Sequence, residues 1–286
     1  QHNASNLALI AKLRTLLKSS SHKLPCENVM KMPSVKTIST LFVCGVVSLF
    51  LASNAASAEE RLVHNQQEFR QVAKNLEPGD VVVLANGTWQ DFEIDFEGTG
   101  TADHPITLTS QEKGKVIISG KSNLRLAGEY LVVSGLVFKN GYTPTKAVIS
   151  YRKNKNRLAN YSRVTETVID NFNNPERFEP DYWIAMYGKH NRFDHNHLEG
   201  KRNKGVTMAV RLDTEASREN HHRIDHNYFG PRPILGSNGG ETLRIGTSHY
   251  SRSDSLTRVE NNYFDRCDGE LEIISNKSGG NVFKGN

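Results

Sequence analysis

The sequence predicts an all-β chain wound as a single-stranded right-handed parallel β-helix, a solenoid, with one short helix capping its N-terminal end. Three observations predict it. Short β-branched segments end in Gly, Asn or Ser; no helical pattern long enough for a βαβ crossover lies between them; and one motif recurs along the second half of the chain.

The elements follow in order. NQQEFRQVAKNLEPGD, from Asn65, reads as a helix: Asn65 caps it, Glu68 takes the capping-box position, and Phe69, Val72, Ala73 and Leu76 share one face. Pro78 and Gly79 stop it. A lone amphipathic helix ahead of nothing but strands suits a lid on the end of a sheet structure. Strands are then expected in VVVLANG (81–87), PITLTS (105–110), KVIISG (115–120), LRLAG (124–128) and LVVSGLVFKNG (131–141).

The repeat comprises VIDNFNN from Val168, RFDHNHLEG from Arg192, RIDHNYFGP from Arg223 and RVENNYFDR from Arg258. Its acidic positions, Asp170, Asp194, Asp225 and Glu260, lie 24, 31 and 35 residues apart. Such a period signifies stacked supersecondary units, with the Asn residues stacking at turns or adopting left-handed conformations there. A propeller would repeat more evenly and a sandwich would not repeat. Two polar, aromatic stretches, 151–163 and 174–191, are expected to line one side of the solenoid as its binding face.

The formal net charge of +5 does not imply a polyanion partner by itself. Residues 1–58 hold six Lys and Arg against Glu27 alone, which leaves residues 59–286 with 30 basic and 30 acidic residues. No nucleic-acid partner is expected. From Met32, a positive Lys36, the apolar run TLFVCGVVSLFLA and the small-residue end ASA read as a secretory signal peptide, residues 32–58, cut after Ala58. Residues 1–31 read as upstream sequence outside the mature protein, and 59–286 as the β-helix domain. The product is expected to be secreted or periplasmic, without stable membrane association after cleavage; the sequence does not fix its oligomeric state. Cys26 and Cys44 fall in the leader, so Cys267 stands alone and reads as a small packed residue.

Chemistry concentrates in GELEIISNKSGG, residues 269–280. Read as a strand, ELEIISN puts Glu270 and Glu272 on one face and turns Leu271 and Ile273 into the coil interior. Exposed charge on a solvated face is one reading. A glycosidase acid pair is a poor one, because two carboxylates on one strand face share one environment. A hard cation, most simply Ca²⁺, is the third, and Asn238 in GSNGGETLRIG, one coil earlier, offers a further oxygen ligand. Glu241 in the same turn, Arg244 beyond it, and one of His221 and His222 are expected to contact substrate; Arg244 suits a carboxylate bidentately.

NHHRIDHNYFGPRP (220–233), GSNGGETLRIGTS (236–248) and RCDGELEIISNKSGGN (266–281) closely resemble polysaccharide lyase family 6, the alginate lyases and chondroitinase B-like lyases, over roughly residues 60–286. The resemblance implies a parallel β-helix in which Asn238, Glu270 and Glu272 hold a Ca²⁺ ion against a uronate carboxylate, and Lys277 is the general base. Elimination needs that pairing: a carbon acid beside a carboxylate gives up its proton only when the carboxylate is neutralised, and a cation nearby keeps a neighbouring amine available as base. The implied substrate is alginate. A sulfated dermatan or chondroitin substrate, C5 epimerisation, and a non-catalytic carbohydrate-binding solenoid are the alternatives. The family pattern also calls for an arginine one coil after the lysine, beyond Asn286; with the chain stopping mid-repeat in NVFKGN, a fragment of a longer protein with impaired turnover is expected.

Overall fold

Each turn of the chain contributes one strand to each of three sheets, and the strands stack in parallel, one coil upon the next. The computed structural model describes residues 59–286. The upstream segment 1–31 and the signal peptide 32–58 lie outside the described residues. Sheet A runs from Glu60–Val63 to Val282–Lys284, sheet B from Gly87–Gln90 to Tyr263–Phe264, and sheet C from Glu93–Thr99 to Ile274–Lys277. This is the right-handed parallel β-helix that the sequence predicts.

Register explains the core. Val82, Leu108, Val133, Val164, Phe193, Ile224 and Val259 stand in one column up sheet A, each fully buried. Leu124, Ile149, Ile184, Met208 and Leu243 make the matching column on sheet C. Because strand side chains alternate, every inward column is flanked by outward ones, and the apolar residues of each coil pack against one another and against those of the coils above and below.

The helix, Gln66–Val72, caps the first coil as expected. Asn65 accepts the Gln67 and Glu68 amides, both at 3.0 Å, while Glu68 reaches back to the His64 amide at 2.7 Å. Phe69 is buried edge-on against Phe92.

The Asn ladder forms at the turn from sheet A to sheet B. The Asn196 amide donates to Asn227 Oδ1, Asn227 to Asn262 and Asn262 to Asn286, each at 3.0 Å. The left-handed residues are those just before, Glu166, His195, His226 and Asn261. One register differs from the expected repeat. Asp170 pairs with Glu199 on sheet B, and the counterpart of Asp194 and Asp225 is Thr165. The true unit therefore starts at Arg163, where Thr165 and Thr167 stand in for the later Asp and Asn.

Two further readings are corrected. Residues 131–141 form two strands, Leu131–Ser134 and Val137–Tyr142, separated by Gly135 at φ +76°. ELEIISN is not a strand from its first residue: pairing begins at Ile274, Leu271 is fully exposed, and Ile273 is exposed too. The interior position opposite Leu243 is filled by Ile274, so the preceding residues are left on a loop.

Candidate active site

The outward side of sheet C forms a groove whose floor is made of small residues. Ser150, Ala185 and Ala209 align between Arg125 on one side and Arg244 on the other, and Arg244 aligns in turn with Ser275. Lys146, Arg152, Lys204, Arg211 and Arg244 line a cavity of 420 Å³ here, together with Tyr182, Tyr187 and Asn238. Its one acid, Asp181, is buried and already paired with the buried Lys201 at 2.5 Å. The surface is thus strongly cationic although residues 59–286 are formally neutral.

One wall is an antiparallel hairpin, Arg152–Asn154 and Arg157–Asn160, in an otherwise parallel solenoid. Arg152 lies 3.6 Å above the Tyr187 ring. Lys153 sits 3.4 Å from both Asp95 and Glu97, and Arg157 pairs with Glu97. Of the two polar, aromatic segments 151–163 and 174–191, Arg152, Tyr182 and Tyr187 line this groove. Tyr151 and Trp183, by contrast, are core residues.

At the far end of the groove the strands Leu243–Gly246 and Ile274–Lys277 bring together Glu241, Arg244 and Lys277. Arg244 Nε donates to Glu241 Oε1 at 2.9 Å. Burial pushes the Glu241 carboxyl up, but the Arg244 hydrogen bond and the charges of Arg244 and Lys277 outweigh it and hold the group below its ordinary value. Glu241 is 2% exposed and lies beneath Arg244 as its anchor. Its Oε2 is buried without a hydrogen-bond partner among the described residues. Lys277 stands in register with Gly246, half-buried, and makes no salt bridge among the described residues.

The glycine-rich turn meets the next loop as the coil spacing implies. Glu270 Oε2 accepts the amides of Gly239 at 3.0 Å and Gly240 at 2.8 Å, which places the carboxylate beside Asn238. Glu272, two residues on, is exposed, as is Asn238. Glu270 and Glu272 are therefore presented by a loop rather than by the pleat of a strand. No group of three or more His, Cys, Asp or Glu side chains converges among the described residues, so a three-ligand protein site would require Asn238. The donor set is all oxygen, and Glu270 keeps Oε1 free of the amides. These residues fit a hard cation such as Ca²⁺.

The histidines separate as adjacent residues should. His222 is 1% exposed, accepts the Asn191 amide on Nδ1, and is pushed down to about 3 by burial, so it is a neutral, buried turn residue. His221 is exposed but stacks on His190 in a column with Tyr161 and Tyr130, away from the groove lining. Cys267 is 3% exposed with its thiol pushed up by burial, an inert packed residue.

The family model for chondroitinase B matches residues 63–286. The chain belongs to polysaccharide lyase family 6, the chondroitinase B family. Among solved structures, the polysaccharide lyase family 6 alginate lyase AlyGC is 67% identical with a TM-score of 0.77, over 79% of this chain and 32% of AlyGC. A mannuronic acid specific family 6 lyase from the human gut microbiota is 38% identical, TM-score 0.74, over 78% of this chain and 52% of that one. A family 6 lyase from Pseudopedobacter saltans is 30% identical, TM-score 0.72, over 79% and 52%. The chain thus spans about a third of the length of AlyGC and about half that of the other two. A search of curated proteins returns no match.

Within this family 6 chain, Lys146, Lys204 and Arg211 are groove residues that sequence reasoning did not single out. Lys204 and Arg211 flank one strand, Met208–Val210, and Lys146 precedes another, Ala147–Ser150, two coils earlier. Only the three-dimensional stacking puts them on one face, since all three lie outside the strands themselves.

Proposed function

We propose that the protein cleaves an acidic polysaccharide of the alginate type by β-elimination, with Lys277 removing the C5 proton of a uronate. The observation that carries this reading is the placement of Lys277: outward on sheet C, without an ion-pair partner among the described residues, and next to the Glu241–Arg244 pair at the end of a cationic groove. The Lys277 amine takes the proton, the C5–H electron pair becomes the C4–C5 double bond, and the C4–O bond breaks with its pair on the leaving oxygen, which takes a proton from water as the chain is released. Arg244, held by Glu241, presents its guanidinium to a substrate carboxylate. Arg152, Lys204 and Arg211 hold neighbouring carboxylates, and the small floor residues let the sugar rings approach the sheet.

Asn238, Glu270 and Glu272 are the residues that would hold Ca²⁺, which when bound would neutralise the reacting uronate carboxylate. Export directed by residues 32–58 would bring the protein to polysaccharide outside the cytoplasm. A solved relative described as mannuronic acid specific, and AlyGC described as an alginate lyase, favour alginate over other uronates. The chondroitinase B family model favours a second reading, a sulfated glycosaminoglycan.

Incubation with alginate should generate the ultraviolet absorbance of unsaturated uronate ends; chelator should reduce it and Lys277→Ala should abolish it. Absorbance with dermatan sulfate alone would favour the second reading. Binding of alginate with neither absorbance gain nor change in C5 configuration would favour a carbohydrate-binding solenoid, and epimerised product of unchanged length would replace lyase by epimerase.

A further inference from the structure

Arg232 is a buried cation that makes no salt bridge to a carboxylate among the described residues. It is 3% exposed, and Nη1 donates to the Thr207 hydroxyl at 3.0 Å and the Glu241 carbonyl at 2.9 Å. Nη2 donates to the carbonyls of Gly205 at 2.8 Å and of Asn203 and Gly239 at 3.3 Å. Burial pushes the guanidinium down to about 10, which still leaves it charged at neutral pH. A buried charge is tolerated when its donors are met, and a planar fork of five N–H groups can reach this many acceptors where a three-donor ammonium cannot.

Two of those acceptors belong to the turn that meets Glu270. The peptide unit is planar and trans, so a Gly239 carbonyl pointing inward to Arg232 sends the Gly240 N–H outward. There it donates to Glu270 Oε2 at 2.8 Å, and the Gly239 N–H donates to the same oxygen at 3.0 Å. Gly239 sits at φ +101°, a conformation that favours glycine. The contacts are close on both sides: a Cβ on Gly240 would lie 2.3 Å from the Gly269 carbonyl oxygen, and one on Gly269 would lie 2.6 Å from Arg232 Nε.

We propose that Arg232 is a positioning residue that, through the Gly239 carbonyl, aims two amides at Glu270 Oε2 and so reserves Glu270 Oε1 for a divalent cation. The cation half rests on the calcium reading above; the hold on the loop does not. Arg232 touches no substrate. Its effect is to orient the peptide that orients the carboxylate.

The test compares the protein with its Arg232→Lys variant in three measurements: calorimetric titration with Ca²⁺ alone, amide hydrogen exchange of segment 236–241 by mass spectrometry, and thermal melting. Losing the fork while keeping the charge should weaken Ca²⁺ about tenfold and speed exchange in 236–241 about tenfold, with the rest of the exchange map unchanged. If Arg232→Lys does not fold, Thr207→Val removes a single acceptor one coil away, and about a threefold change in both readouts is expected. A folded variant with the affinity and exchange of the parent overturns the proposal. Should the parent take up no Ca²⁺, the calcium reading fails by itself. The exchange comparison then decides the loop role: faster exchange in the variant sustains it, and unchanged exchange overturns it.

Discussion

Lys277 stands in register with Gly246 of the preceding coil, and a Cβ on Gly246 would fall 2.4 Å from the Lys277 carbonyl oxygen. Gly246 has φ +91°, so the position is closed to other residues by conformation as well as by space. The glycine lets the two strand ends approach and leaves no side chain beneath the lysine.

This relationship predicts how the site fails. Lys277→Ala should lower turnover on alginate by about two to four orders of magnitude, the usual contribution of a positioned base, while leaving the melting temperature unchanged. Gly246→Ala should lower both, because the backbone itself must shift. Equal turnover in Lys277→Ala and parent, followed by ultraviolet absorbance, would remove the lysine from the mechanism.

The parts of this molecule that were readable from sequence are those in which one residue does one job in every coil. Asn227 and Asn262 are visible because a buried turn amide repeatedly needs a side-chain oxygen, and nothing else in a strand-rich chain demands Asn at that interval. The same turn one coil earlier was missed, since Thr167 offers its backbone N–H to Asn196 without being Asn. Alternation alone puts Leu271 and Ile273 inside, but a loop bulges outward there and both are exposed. Arg232 was invisible for a different reason. Its acceptors are carbonyls 7 to 29 residues away, together with the Thr207 hydroxyl, and carbonyls carry no sequence signature.

The Asn ladder should govern stability. Asn227 is 2% exposed; its Nδ2 donates to the Phe193 carbonyl at 2.9 Å and its Oδ1 accepts the Asn196 amide at 3.0 Å. Asn227→Ala strands both partners away from water and should cost about 3 kcal/mol. Asn227→Asp keeps an acceptor for Asn196 but faces a carboxylate toward the Phe193 carbonyl and Asn262 Oδ1, so it should cost at least as much near neutral pH. Urea midpoints measure both, and an unchanged midpoint in Asn227→Ala would mean that the ladder carries no net stability.

Sheet A carries a second ladder, of charge, that predicts the acid limb. Asp194 and Asp225 are fully buried; Arg163 donates to Asp194 at 2.7 Å, and Arg192 to Asp225 at 2.9 Å and 2.7 Å. His195 and His226 close the other side at 2.7 Å and 2.8 Å. Burial pushes both carboxyls up, but these hydrogen bonds and arginine charges outweigh it and leave them below their ordinary value. A carboxylate depressed in the folded state stabilises above its unfolded value and loses that contribution as pH falls through the folded one. The melting temperature should therefore stay level down to about pH 4 and drop below it. Asp225→Asn should melt lower at pH 7 and show a shallower acid limb. A limb as steep as the parent's would assign acid unfolding to other groups.

The groove cations should act on binding and not on the chemical step. Arg211 lies over Tyr182 and donates to its hydroxyl at 3.1 Å, and Arg152 covers the Tyr187 ring at 3.6 Å. Both guanidinium groups are held by aromatic neighbours, and neither is paired with Glu241 as Arg244 is. An interaction made equally in the ground and transition states changes KM and leaves kcat alone. Arg211→Ala should therefore raise KM for alginate by about five- to tenfold with little change in kcat, and should flatten the rise of KM with added salt, because one fewer cation meets the polyanion. Arg152→Ala should do the same. Arg244→Ala should differ: it removes the side chain beside Lys277 and leaves Glu241 buried without its partner, so kcat should fall as well. A fall in kcat for Arg211→Ala equal to that for Arg244→Ala would show that the groove participates in the chemistry along its whole length, and that the division between a binding surface and a reacting end is wrong.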